Sequence, residues 1–127
     1  MRPLISIAAG LFALALAYLG NRVIWLIMRG KGIAWCVPFW EEFVKTTVGI
    51  LTGQVFPVHA LFGLGEAIVE TGRGDAIAGV LAMVSHACFG LLTLLTWRRT
   101  GQPAAGLLAA ALAHAGWNRL ILCYAKR

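Results

Sequence analysis

A chain of 127 residues that is 60% hydrophobic and only 13% charged falls outside the ordinary soluble class, in which about 25% of residues are charged. Its formal net charge of +6 does not point to nucleic acid. Arg2, Arg29, Lys31, Arg73, Arg98, Arg99, Lys126 and Arg127 fall in short loops and at the ends, where basic residues anchor membrane segments.

Cys36, Cys88 and Cys123 are odd in number and widely spaced, with neither a disulfide framework nor a CxxC metal spacing, and read as small core residues. With about 20 apolar residues per spanning helix, the chain has room for about five. The expectation is an all-α, polytopic transmembrane bundle, one integral membrane domain over residues 1–127.

The first segment resembles a secretory signal, with Arg2, an apolar core and an Ala-Leu-Ala near its end, but is read as a retained helix from about Pro3 to Met28. Arg29-Gly30-Lys31-Gly32 ends it, and Arg22, beside Asn21, can snorkel to the headgroups. Helix two is predicted from Ile33 to Val55, with Pro38 either bending it or opening its well-formed part. Pro57 marks the next turn.

Helix three is predicted short, Val58 to Thr71, with His59 at the interface and Glu70 and Arg73 as a surface pair. Helix four runs from Ala76 to Trp97, and helix five from Pro103 to Tyr124, lined with the small residues that let membrane helices approach closely. No repeat or low-complexity segment stands out beyond that alanine bias. Five spans place the ends on opposite sides, and the face carrying Arg29, Lys31, Arg73, Lys126 and Arg127 reads as cytoplasmic.

The informative residues are those that do not suit a bilayer. A charge at a helix centre costs about 2.5–3.5 kcal/mol on insertion scales, so Glu41, Glu42, Lys45 and Glu66 need compensation. Lys45 is spaced i+4 from Glu41 and i+3 from Glu42, and can neighbour either. One lysine cannot neutralise three carboxylates.

His86 and His114 lie in the middle of helices four and five, with Asn118 one turn beyond His114. At 1.5 Å per residue, Glu42 is about 12–14 Å from the C-terminal face, Glu66 about 8 Å, His86 and His114 about 15 Å and Asn118 about 9 Å. Four helices thus place polar groups at similar depth.

Carboxylates and histidines gathered in a low-dielectric cavity suit a carboxylate acting as general base toward water, or two histidines and a carboxylate holding a zinc ion. Asn118 is placed to donate to an oxyanion. Sequence leaves open whether Glu41 or Glu42 is the base.

Glu41-Glu42-Phe-Val-Lys45 resembles an EExxK motif, Phe62-Gly-Leu-Gly-Glu66 an FxxxE motif, His86-Ala-Cys-Phe-Gly90 a HxxxG motif and His114-Ala-Gly-Trp-Asn118 a HxxxN motif. In that order they resemble the PrsW family of intramembrane proteases, relatives of the CAAX prenyl endopeptidases and bacteriocin-processing proteins. The resemblance covers helices two to five.

It implies a prokaryotic plasma-membrane peptidase acting on a membrane-embedded protein or peptide, with the lipid bilayer as its other partner. Glu41 and Glu42 would flank or activate the water beside Lys45. Glu66, His86 and His114 would supply polar or zinc-binding groups, and Asn118 the oxyanion contact. Other readings of the same residues are a small proton or ion carrier, a non-catalytic binding or immunity-type protein of this fold, and haem ligation by His86 and His114.

Overall fold

A computed structural model describes residues 2–28 and 34–124. Every regular element among the described residues is a helix: α1 (Arg2–Met28), α2 (Cys36–Thr52), α3 (Val55–Gly72), α4 (Ala76–Thr100) and α5 (Pro103–Tyr124). Three are long and apolar enough to cross a membrane, over Arg2–Met28, Ala76–Thr100 and Pro103–Cys123. The chain is a helical membrane protein.

The shorter helices, α2 with 17 residues and α3 with 18, lie at the centre of the bundle. Each packs against three others, α2 on α1, α3 and α5, and α3 on α1, α2 and α4. With the α4–α5 contact, helices α2, α3, α4 and α5 close into a ring, and α1 lies across α2 and α3. The seat of α1 is a row of small residues, Ala9, Ala13 and Ala17, buried against Val44, Val48, Val58 and Phe62. Small side chains at four-residue spacing bring helix backbones together where lipid supplies no hydrophobic drive.

The boundaries differ from expectation for identifiable reasons. Residues 29–33, where helix one was expected to end and helix two to begin, lie outside the described residues. Pro38 is the third residue of α2, a first-turn position that needs no N–H donor, so it opens the helix and does not bend it. Helix α2 stops at Thr52 because Gly53 takes a left-handed conformation, φ 68°, and turns its N–H back to the carbonyls of Gly49 and Ile50.

Two residues later α3 begins at Val55, so Pro57 stands inside its first turn and does not mark a loop. Helix α4 runs past Trp97 to Thr100, with Arg98 and Arg99 in its last turn and Gly101 at φ 71° as its cap. Cations there suit the helix dipole. Its other end is capped by Asp75, whose side chain accepts from the Ala78 N–H at 2.8 Å.

Polarity is distributed inside out relative to a soluble domain. Glu41, Glu42, Lys45, His59, His86 and His114 are buried, while Leu11, Phe12, Leu51, Ile77 and Leu112 are exposed, as a bilayer solvent requires. The cysteines do not belong to the core: Cys88 and Cys123 are exposed and Cys36 is half-buried. The Glu70–Arg73 pair is an exposed contact at 2.8 Å, as expected.

Candidate active site

The helix ring encloses one cluster of ionisable groups, centred on Glu42, which is fully buried. Its Oε1 accepts from the Lys45 ammonium at 2.5 Å and from His114 Nδ1–H at 2.9 Å, and its Oε2 meets His59 Nε2 at 3.0 Å. Three helices are tied together through this carboxylate. Lys45 therefore pairs with Glu42, and Glu41 is left for other partners.

Glu41 receives the Asn21 amide of α1 on Oε1 at 2.5 Å, and its Oε2 faces His114 Nε2 at 3.8 Å. Sequence reasoning missed this use of Asn21, having placed it near a helix end beside Arg22. The signal available was an amide in an otherwise apolar span.

An ammonium has three donors and no acceptor, so the Lys45–His86 contact at 2.8 Å makes Nδ1 of His86 the acceptor. In the neutral ring Nε2 then carries the proton, and it donates to Glu66 Oε2 at 2.8 Å. By the same logic His114, donating from Nδ1 to Glu42, has its Nε2 lone pair turned toward Glu41. Lys45 lies over the Phe62 ring, 4.6 Å from its centroid, and Phe89 stacks on His114 at 4.8 Å.

His59 corrects the sequence reading most clearly. It is fully buried and bonded to Glu42, where an interfacial residue was expected. Its distance from Pro57 says how far it lies along the helix but nothing about what covers it.

A cavity of about 750 Å³ opens beside the cluster, within the 300–1,000 Å³ typical of ligand sites. Glu66, His86, His114, Trp117 and Asn118 line its inner part, and Ile77, Leu81, Leu120 and Ile121 its apolar walls. Those four apolar residues are exposed on the outer surface of the bundle, where the cavity opens, and Glu70 and Asp75, at the end where α3 turns into α4, also line it. Glu66 is 38% exposed there, while Glu41 sits one side chain back, behind His114.

Every site residue expected from sequence is in this assembly, with altered parts. Among the described residues, those that converge as possible metal ligands are Glu41, His86 and His114, each offering an atom within 4.8 Å of the others. Glu41 takes the place expected of Glu66, which is engaged with His86 from the cavity side. The His86 and His114 rings are 5.0 Å apart and edge to face, which leaves no slot between them for a haem.

The chain matches no family model, no curated protein and no solved structure.

Proposed function

We propose that the chain is an intramembrane endopeptidase that hydrolyses a peptide bond of a membrane-embedded protein or peptide. The observation that carries this reading is the cavity with apolar outer walls that ends on His86, His114, Glu66 and Asn118, with a buried carboxylate, Glu41, directly behind. The PrsW-like order of motifs supports it, and with it a prokaryotic plasma-membrane setting.

Glu41 Oε2 and His114 Nε2 are two acceptors facing each other across 3.8 Å. A water held between them would have its hydrogens engaged and a lone pair free for a carbonyl carbon. As its oxygen bonds to that carbon, a water proton passes to Glu41, the carbonyl electrons move to oxygen, and the Asn118 amide donates to the oxyanion. Return of the proton to the peptide nitrogen releases the amine as the C–N bond breaks.

Glu41, His86 and His114 are also the residues that would hold a zinc ion, a donor set of two imidazoles and a carboxylate with one side toward the cavity. The fit is good at His114, whose other nitrogen is already oriented by a carboxylate, and at His86 it requires the Nε2 proton to pass to Glu66 while the Lys45 ammonium gives one to Nδ1, which keeps the ring neutral. A bound ion would acidify a water, with Glu66 on the cavity wall as a carboxylic acid. Metal content of protein purified without chelator is expected to be about one zinc per chain, and none in the His86→Ala, His114→Ala double variant. No metal in the wild type would favour a metal-free glutamate mechanism or a non-catalytic role, which the cleavage assay separates.

The carrier reading is less well supported. Glu66, His86, Lys45, Glu42 and His59 form a continuous hydrogen-bonded run that ends on the buried Val55 carbonyl and meets the cavity only at Glu66 and His86.

Peptidase activity is tested with purified protein and a membrane-anchored peptide. Asn118→Ala is expected to lower kcat about 10²–10³-fold while the protein remains folded, since Asn118 is only partly buried. His114→Ala is expected to abolish cleavage. Unchanged cleavage in both variants would refute the assignment.

A further inference from the structure

Two stretches, His59-Ala-Leu-Phe-Gly63 on α3 and His86-Ala-Cys-Phe-Gly90 on α4, share the pattern His-Ala-x-Phe-Gly. The helices form an antiparallel pair joined at residues 73–75, and the two stretches are nearly equally far from that turn. A five-residue match escapes a search for repeats of structural length, and its meaning is visible only in the packing.

Each histidine is seated on the other helix's glycine. A Cβ added at Gly63 would come within 2.8 Å of His86 Cβ, and one added at Gly90 within 2.7 Å of His59 Cβ. Neither glycine is among those with positive φ, so space is what these positions require. The phenylalanines also correspond, Phe62 covering Lys45 and Phe89 covering His114.

His86 already belongs to the candidate site, and its counterpart makes an equally specific set of bonds. His59 Nδ1–H donates to the Val55 carbonyl at 2.9 Å, while Nε2 meets Glu42 Oε2 at 3.0 Å. The other oxygen of Glu42 holds the Nδ1–H of His114. His59 on one oxygen, and His114 with Lys45 on the other, therefore share one carboxylate.

We propose that His59 is a positioning residue for the candidate active site, held over Gly90 so that Glu42 fixes the tautomer and orientation of His114. Its effect on rate rests on the peptidase reading, whereas its effect on the His114 ring does not. The two are separated by measuring each.

The chain has three histidines, so their ring ¹H–¹⁵N signals in micelles can be assigned by single substitutions. His59→Ala and Gly90→Ala are both expected to move the His114 Nδ1–H signal away from its hydrogen-bonded position, although Gly90 lies on another helix from His59. Both are expected to lower kcat about 10- to 100-fold, the range for residues that orient a ligand histidine from outside, with KM little changed. His59→Gln, whose amide can donate to Glu42 Oε2, is expected to restore most of both.

His114 signals that stay unchanged in folded His59→Ala or Gly90→Ala protein would overturn the proposal. If His59→Ala does not fold, Gly90→Ala and His59→Gln make the same comparison, and a His59→Gln signal displaced as far as that of Gly90→Ala would also overturn it. A wild type that cleaves nothing would count against the peptidase reading alone, with the ring signals still deciding the role of His59.

Discussion

Glu41→Gln is expected to reduce cleavage of a membrane-anchored peptide by about 10²–10⁴-fold, the usual contribution of a positioned general base, with the fold retained. The substitution is nearly isosteric, and the glutamine carbonyl can still accept the Asn21 amide that holds Glu41 Oε1. What is lost is Oε2, the oxygen facing His114 Nε2. The same loss is expected if the trio holds a metal, because Glu41 is then a ligand. Rates in micelles or liposomes, beside a thermal unfolding curve, check the expectation, and a variant as active as wild type would remove Glu41 from the chemistry.

Glu42→Leu is expected to have the largest effect on stability, about 3–5 kcal/mol, the range for removing one partner of a buried ion pair. Lys45, His59 and His114 all lose their acceptor at once, and the Lys45 ammonium is left in a low-dielectric interior with only His86 to receive it. Adding Lys45→Met removes the stranded charge, so the double variant is expected to recover part of the lost stability. It is not expected to recover activity, since His114 still lacks the carboxylate that orients it. The detergent-micelle unfolding midpoints of the two variants check this, and a single variant as stable as wild type would contradict the central place given to Glu42.

These contrasting roles of adjacent glutamates show where sequence reasoning stops. That Glu41, Glu42, Lys45, Glu66, His86 and His114 would meet was legible, because charges are expensive in a bilayer and helical rise placed Glu42, Glu66, His86 and His114 in the same half of it. Which glutamate Lys45 would choose was not, since i+3 and i+4 spacings are equally open until the other helices arrive. His114 and His59 engage the two oxygens of Glu42, and the Asn21 amide takes Glu41.

The five helices were likewise legible from apolar runs and from the Gly, Pro and Arg residues between them, but the inner position of α2 and α3 was not. It follows from the small faces of α1, where Ala9, Ala13 and Ala17 meet Val44, Val58 and Phe62. Such faces are hard to read from one sequence because alanine is common in every span. His59 was misplaced for a related reason: Pro57 was read as a break, whereas in a first turn proline costs the helix nothing, and α3 begins early enough to bury the histidine.

The most direct test of the central claim is hydrolysis in H₂¹⁸O by the purified chain in liposomes holding a membrane-spanning peptide. One ¹⁸O atom is expected in the new C-terminal carboxylate of the wild-type product, with no such product from Glu41→Gln. A folded wild-type protein that yields no labelled product with or without added zinc, or a Glu41→Gln variant that yields as much as wild type, would contradict the account.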